Sequence, residues 1–232
     1  MSLLSVREQI VACTRCPRLR DYCARIGREK KAAHRDDVYW AKPVPGFGDP
    51  MARLLIVGLA PAAHGANRTG RVFTGDGPGG SGDFLMSAMH AHGFANLPTT
   101  RHVGDGLVLT DAFIAAAVRC APPQNKPTRE EIEQCRDHLR AEIAALPRIA
   151  LILALGKIAY DACWTLLKER GVPLRPRPPF GHGVAYTPGP GVPGLLTSYH
   201  PSRQNTNTGK LTHAMMREVF HRARRALDAL PV

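Results

Sequence analysis

Short apolar runs alternate along the chain with segments of helical periodicity. Residues 54–57 form a continuous apolar run, and residues 149–155 form a second. Runs of this kind are typical of strands buried on both faces of a parallel sheet. A further strand is predicted at LVLTDAF, residues 107–113, with a second extended piece that reaches Arg119 and Cys120. A last strand is predicted at residues 195–199. We therefore expect a sheet of mostly buried strands.

Helical patterns follow these runs. Thr128 and Glu131 have the spacing of a capping box at the start of a helix within residues 128–146. Residues 157–167 predict another helix, and residues 211–230 predict a closing amphipathic one. Strands that alternate with helices predict a three-layer α/β/α domain.

Length and charge narrow the possibilities. The 232 residues contain no repeat or low-complexity spacer, so we expect one domain over residues 1–232. The 31 Lys and Arg against 19 Asp and Glu give a net charge of +12, which favours a polyanionic partner such as nucleic acid. No apolar run approaches the roughly 20 residues that span a bilayer, and the first residues do not read as an export signal. We expect a soluble, cytoplasmic protein without a membrane partner.

Cysteine spacing indicates a metal or cluster site. Cys13 and Cys16 form a tight pair, and Cys120 and Cys135 form a later one. In a chain without an export signal, such thiols are more often metal ligands than disulfides. Four thiolates suit either Zn²⁺ or an iron-sulfur cluster, and spacing does not decide between them. Of the other two cysteines, Cys163 is predicted to pack in an apolar helix. Cys23 is a candidate for a substitute ligand.

The run at residues 54–57 leads into a glycine-rich loop, GLAPAAHGANRTGRVFTGD, over residues 58–76. In open α/β sheets, ligands bind beyond the carboxyl ends of the strands. This loop is therefore expected to form the floor of the functional pocket.

Four segments in this order resemble the uracil-DNA glycosylase superfamily, most closely its family 5, or type B, iron-sulfur enzymes. They are CTRC at 13–16, the glycine-rich loop at 58–76, AAAVRCAPPQNKPT at 115–128 and HPSRQNTNTGKLT at 200–212. The resemblance implies a central, mostly parallel four-stranded sheet and a DNA repair hydrolase that cleaves the N-glycosidic bond of uracil, leaving an abasic site. It also implies a structural [4Fe-4S] cluster held by four cysteines: Cys13, Cys16, Cys120 and Cys135.

The resemblance also assigns roles at the pocket. Phe73 matches the aromatic residue that stacks on the extruded base, and His200 would donate a hydrogen bond to the base O2. The backbone amides of Gly58 and Leu59 would add further donors.

The chain departs from better-known relatives at three polar positions. Leu59 and Ala60 stand where relatives carry Asp, Asn, Gln or Glu, and Ala116 stands where type A relatives carry a uracil-reading Asn. Asp76 is expected to take over the role of these missing polar side chains, as general base or electrostatic stabiliser. Asn125 is expected to position water or to contact the uracil. Fewer buried polar groups predict broader substrates, including hypoxanthine and other deaminated bases.

The polar segment after His200 resembles the inserting loop of the family. Its candidates for strand contact are Arg203, Gln204 and Asn205, with further phosphate ligands predicted at Arg68, Arg71 and Lys210. The expected partner is double-stranded DNA that contains deaminated bases, with single-stranded DNA as a second substrate. We expect a monomer.

Two other classes of function remain open on sequence. A non-catalytic, zinc-stabilised nucleic-acid-binding module explains the charge and the cysteines but leaves Phe73, Asp76 and His200 without a role. An iron-sulfur redox enzyme needs a second cofactor site, which the motifs do not supply. Since no lysine stands in a motif position suited to Schiff-base chemistry, a glycosylase is expected to be monofunctional.

Overall fold

The computed structural model describes residues 1–169, 177–189 and 191–230. Within them six strands form one sheet: β1 (Phe47–Gly48), β2 (Leu54–Gly58), β3 (Ala112–Ala116), β4 (Leu151–Leu155), β5 (Ala185–Tyr186) and β6 (Gly194–Ser198). Their spatial order is β1-β3-β2-β4-β6-β5. The four central strands are parallel, and the two-residue edge strands pair antiparallel. The expected parallel four-stranded core is confirmed, with a short strand added at each edge.

The helices in the described part of the chain are α1 (Leu3–Val11), α2 (Pro17–Glu29), α3 (Ala66–Thr69), α4 (Ser81–Ala91), α5 (Arg129–Ala145), α6 (Lys157–Glu169), α7 (Arg203–Asn207) and α8 (His213–Asp228). The predicted capping box at the start of α5 is present, with both Thr128 and Glu131 making their bonds. None of these helices has the length and apolarity needed to cross a membrane.

Alternating side chains of β2 feed two separate cores. Leu54 and Ile56 point into a core that includes α4 and α8, whereas Leu55 and Val57 point into one that includes α5 and α6. All five β2 residues are buried, which explains why the strand is apolar without interruption. The sheet therefore lies between two helical layers, as the alternation of strands and helices predicts.

The strand predicted at residues 107–113 begins later than expected. β3 starts at Ala112 because Asp111 has a left-handed backbone, with φ of 58°. The Asp111 carboxylate accepts bonds from the backbone and guanidinium of Arg53, so this residue closes a turn at the lower edge of the sheet. Part of the predicted proline- and glycine-rich stretch at residues 171–193 lies outside the described residues.

The order of the strands creates a crevice at their carboxyl ends. The connection after β2 reaches β3 through α4 on one face, and the connection after β4 reaches β6 through α6 on the opposite face. Loops that leave adjacent parallel strands toward opposite faces diverge, and ligands bind in the gap between them. The loop after β2 and the residues that follow β6 border this gap.

Candidate active site and cysteine pocket

The predicted stacking ring lies at the carboxyl end of β2. A Cβ atom on Gly58 would stand 2.8 Å from Cε2 of Phe73, so the ring lies directly on the glycine backbone. The rings of Phe73 and His200 have centroids 5.7 Å apart and planes inclined by only 24°. We call Phe73, Asp76 and His200 the strand-end site.

The backbone of Phe73 is strained and held by a buried network. Its φ of 53° is unusual for an aromatic residue. On one side the Arg71 guanidinium donates to Thr74 Oγ1 at 2.9 Å and pairs with Asp105 at 2.7 Å, while Thr100 shares a 2.7 Å bond with Thr74. Arg71 is only 8% exposed. The prediction that Arg71 binds phosphate is therefore wrong: its charge is used inside the fold.

Asp76 lies against the loop backbone at Gly65. A Cβ atom on Gly65 would fall 2.1 Å from Asp76 Oδ1, so the carboxylate occupies the space that glycine leaves. Burial raises the pKa of Asp76, and the positive charges of Arg203 and Arg68 only partly offset that rise. No hydrogen bond to the carboxylate occurs among the residues that the structure describes. Such a carboxylate is a free acceptor, as a general base requires.

His200 follows β6 and is held by its backbone. The amide Nδ2 of Asn205 donates to the His200 carbonyl at 2.8 Å, and Gly156, with φ of 92°, lies against the His200 Cβ. Burial lowers the pKa of His200 to about 4. The imidazole is therefore neutral at neutral pH and presents one N–H donor.

Two arginines connect the segment that ends at Asp76 to its surroundings. Arg203 Nη2 donates to the backbone carbonyl of Asp76 at 3.0 Å, which joins the loop after β6 to the loop after β2. Arg68 Nη2 donates to the carbonyl of Gly75 at 2.8 Å, and its Nη1 pairs with Asp37 at 2.7 Å. Arg68, predicted to bind phosphate, is thus already engaged within the protein.

The remaining DNA-contact candidates differ in their surroundings. Arg203, Gln204 and Asn205 lie on α7, where a loop was expected, and Asn205 holds His200 while Arg203 contacts Asp76. Gln204 is exposed, and among the described residues its side chain makes no hydrogen bond. Lys210 lies over the Tyr199 ring at 5.0 Å from its centroid.

The structure does not bring Asn125 into contact with the strand-end site. Asn125 is exposed in a short turn beyond β3, with φ of 57°. Its predicted role stays a prediction. The apolar positions of the motifs border the region as expected: Ala116 is buried at the end of β3, and Leu59 and Ala60 are partly buried.

The four predicted ligand cysteines line one pocket. They come from the end of α1, the start of α2, the segment after β3 and the middle of α5: Cys13, Cys16, Cys120 and Cys135. The backbone N–H of Arg119 donates to the Cys135 Sγ at 3.2 Å. Burial raises the pKa of Cys135 to about 12 and also raises that of Cys16. We call this space the cysteine pocket.

The pocket fits a cluster better than a single ion. Among the residues described, no three Cys, His, Asp or Glu side chains converge closely enough to hold one metal ion. A single Zn²⁺ needs all four sulfurs at about 2.3 Å from one point. In a [4Fe-4S] cluster each cysteine binds a different iron, so four thiols spread around a common space suit it.

The other two cysteines serve the packing. Cys163 lies on α6 and is fully buried in the core, as predicted for a packed thiol. Cys23 is also buried, accepts from the N–H of Ala121 at 3.2 Å and is not among the residues that line the cysteine pocket. The ligand candidates are thus the four named from the motifs.

Sequence reasoning missed the residues that support both sites. Asn205, whose DNA contact stays a prediction, also supports His200, and its position five residues after His200 is compatible with such a bond across the same turn. Gly65 was overlooked because the contact it permits, with Asp76, depends on how the loop folds back. His138, three residues after Cys135 on α5, also lines the cysteine pocket, and helical spacing could have indicated it.

Known proteins with similar sequences share nearly the whole chain. The family model of the uracil DNA glycosylase superfamily matches residues 45–224. The chain is 48% identical to the type-5 uracil-DNA glycosylase of Thermus thermophilus, over 94% of this chain and 95% of the relative. It is 45% identical to the type-5 uracil-DNA glycosylase of Mycobacterium leprae, over 97% and 95%. A type-4 uracil-DNA glycosylase of Pyrobaculum aerophilum is 31% identical over 75% of this chain and 70% of its own.

Proposed function

The chain belongs to the uracil DNA glycosylase superfamily, and we propose that it removes uracil from DNA by hydrolysing the N-glycosidic bond. The bond between the sugar C1′ and the base nitrogen breaks, water supplies a hydroxyl to C1′ and a proton to the base, and an abasic site remains. The observation that carries the proposal is the strand-end site: the Phe73 ring lies against His200, and Arg203, three residues after His200, bonds to the backbone of Asp76.

Phe73 and His200 act on the base. An extruded base stacks on an aromatic face, and the backbone at Gly58 lets the Phe73 ring reach the strand end. As the bond breaks, negative charge grows on the base O2. Because burial lowers its pKa, His200 is neutral and donates its N–H to that oxygen as a hydrogen-bond donor.

Asp76 acts on the sugar side. Its carboxylate carries the negative charge that stabilises an oxocarbenium-like sugar and accepts a proton from the attacking water. Because burial raises its pKa, the carboxylate is a stronger base than an ordinary surface Asp. Activity requires the ionised form, so it falls as the pH drops through this raised pKa.

The substrate range extends beyond uracil. The pocket borders carry Leu59, Ala60 and Ala116, so the amide and carboxylate groups that would read uracil are absent at these positions. A site rejects a wrong base strongly when buried polar groups would be left unpaired by it. We propose hypoxanthine and other deaminated bases as further substrates.

The cysteine pocket holds a [4Fe-4S] cluster on Cys13, Cys16, Cys120 and Cys135 in this proposal. Two observations support it: the four thiols line one space, and they do not converge on one point. Bound there, the cluster would cross-link α2, α5 and the segment after β3. Its contribution is structural, and the hydrolysis uses the side chains of the strand-end site.

Double-stranded DNA is the expected partner, with single-stranded DNA as a second substrate and the protein acting as a monomer. Gln204 is exposed beside the strand-end site, which supports its assignment to a strand contact. Arg203 remains exposed although it bonds to Asp76, so it can contact DNA as well. Asn125 is proposed to reach the base only in the DNA complex.

The zinc-stabilised binding module is not favoured. The relatives of this chain are named glycosylases, and a binding module would give the carboxylate of Asp76 no role. A redox enzyme lacks support for the same reason.

The test is incubation with duplex DNA that carries one uracil, followed by alkali to cut any abasic site. The wild-type protein is expected to give a cut strand only after alkali, because a monofunctional glycosylase leaves the backbone intact. A parallel duplex with hypoxanthine tests the substrate range. Asp228→Asn serves as the control for Asp76→Asn, since Asp228 is an exposed carboxylate at the opposite end of the sheet.

Each outcome decides one element of the proposal. Absence of cutting with wild-type protein rules out the glycosylase activity, and cutting before alkali rules out the monofunctional mechanism. Strict preference for uracil rules out the broad range. Brown protein with equal amounts of iron and acid-labile sulfide supports the cluster, whereas zinc alone overturns it.

A further inference from the structure

Arg119 is buried beside the cysteine pocket, and two of its three guanidinium nitrogens have no hydrogen-bond partner among the described residues. It is 1% exposed, and its Nη2 donates to Glu142 Oε2 at 2.6 Å. The other oxygen of Glu142 accepts from the Gly46 N–H at 2.8 Å. The Arg119 Nε and Nη1 atoms have no partner among the residues that the structure describes. Since Nε carries one N–H and Nη1 carries two, three N–H groups of this buried cation have no partner in that part of the chain.

His138, on α5, is also buried with an unpaired side-chain nitrogen among the described residues. It is 6% exposed, and its Nε2 also lacks a partner within the described part of the chain. It stands three residues after Cys135 on α5, so the two side chains share one face of the helix. His138 and Arg119 both line the cysteine pocket.

These free donors are concentrated at one place. Of the six buried side-chain nitrogen and oxygen atoms found without a partner in the described residues, three belong to Arg119 and His138. Buried polar groups are paired in the great majority of cases, and each exception needs an explanation such as an absent ion. Here the exceptions surround four thiols, which points to an acceptor that fills the pocket.

We propose that Arg119 and His138 donate hydrogen bonds to the sulfur atoms of the cluster, with Arg119 also compensating its negative charge. The inference rests on the cluster proposed above. Four thiolates give an oxidised [4Fe-4S] centre a net negative charge, and hydrogen bonds to the sulfurs are among the factors that set its reduction potential. Arg119 forms an ion pair with Glu142, but only Arg119 of the two lines the cysteine pocket, so the positive end of the pair is the nearer to the cluster.

The consequence is a more stable and less easily oxidised cluster. Donors and positive charge favour the more negative, reduced state, so their removal lowers the reduction potential. Their removal also lets water reach the sulfurs and a chelator reach the iron. Neither effect involves the strand-end site, so base excision per bound cluster is expected to change little.

The experiment compares three variants of the purified holoprotein. His138→Phe keeps an aromatic ring and removes the Nε2 donor. The double variant Arg119→Gln with Glu142→Gln removes the cation without leaving a lone buried carboxylate. Arg136→Gln is the matched control, because Arg136 lies beside Cys135 with an unpartnered buried Nε but does not line the pocket.

The readouts are iron and sulfide content, the rate of cluster loss in a chelator with ferricyanide, and the midpoint potential. His138→Phe and the double variant are expected to lose the cluster about tenfold faster, with a lower potential, since bonds to charged acceptors are the stronger ones. Arg136→Gln is expected to match the wild type. Because His138 Nε2 has no partner among the residues that the structure describes, a role limited to packing of the ring predicts no change in His138→Phe.

The outcomes separate this inference from the function it rests on. Wild-type rates and potential in a folded His138→Phe protein, checked by circular dichroism, overturn the inference while leaving the cluster and the glycosylase in place. A wild-type protein without iron overturns the cluster and this inference together, and its uracil excision is scored separately. If the double variant fails to fold, His138→Phe alone decides.

Discussion

The strand-end site and the cysteine pocket differ in which hydrogen-bonding groups lack a partner among the described residues. At the strand-end site the unpaired group is an acceptor: the Asp76 carboxylate is partly buried and accepts no hydrogen bond from the described residues. In the cysteine pocket donors are in excess, on Arg119 and His138. Burial disfavours either one unless a ligand completes it. In the function proposed above, a transient substrate pairs with the first site and a permanently bound cluster pairs with the second.

This difference teaches which changes should affect chemistry and which should affect stability. A group that serves a transient ligand costs the free protein stability, so its removal should cost activity alone. A group that serves a permanent ligand contributes to the folded state, and its removal should weaken the fold. The following variants test that separation.

The largest effect is expected at Asp76. Asp76→Asn should lower the rate of uracil excision roughly 10²–10⁴-fold, because the asparagine amide cannot accept the proton from water. The rate of wild-type protein should fall on the acidic side at a pH above the usual range for Asp, and the residual rate of the variant should lack this limb. Single-turnover rates from about pH 4 to 9 measure both.

The same variant should be more stable than the wild type at high pH. A raised pKa means that the folded state resists ionisation, so Asp76 costs stability as the pH rises through its ordinary and then its folded pKa. The melting temperature of Asp76→Asn should exceed that of the wild type at pH 8, and the gap should close toward pH 4. A melting temperature below the wild-type value at pH 8 would show that Asp76 is structural.

The next effect is expected at His200. His200→Leu should lower the excision rate about 10²-fold by removing the donor to the leaving base. His200→Gln, which keeps an N–H donor, should recover part of that loss. Equal rates for the two variants would show that the ring contributes through packing against Phe73 rather than through a hydrogen bond.

Cys135 tests the other region. Cys135→Ser should lose most of its iron and a large part of its stability, since loss of a metal centre is among the few changes that can cost more than about 4 kcal/mol. Cys163→Ala, another buried thiol, should keep its iron and lose only the small free energy of a packed sulfur. Iron content and thermal melting check both, and full iron in Cys135→Ser would remove this cysteine from the ligand set.

The smallest effect is expected at Asn205, which lies between chemistry and stability. Asn205→Ala removes the bond to the His200 carbonyl, so the excision rate should drop roughly fivefold, the value of one ordinary hydrogen bond. DNA affinity should stay close to that of the wild type in a binding assay with an uncleaved duplex. A loss of affinity alone would return Asn205 to the strand-contact role predicted from the sequence.

Local patterns predicted most of the fold, because β2 and the capping box of α5 depend on residues close in sequence. The start of β3 was misplaced because the partner of Asp111, Arg53, lies far away in the chain. Arg71 was misread for the same reason: only the folded chain brings Asp105 to it. Charge alone does not tell whether an arginine faces DNA or the interior.

The contact between Gly65 and Asp76 offers a route to a laboratory reagent. Any side chain at position 65 would occupy the place of the carboxylate, while Phe73 and His200 would remain at the strand ends. Gly65→Ala should therefore displace the Asp76 carboxylate without removing it. The variant should bind damaged DNA and release it without excising the base. The added methyl group would convert the glycosylase into a binding protein that marks the positions of deaminated bases along a genome.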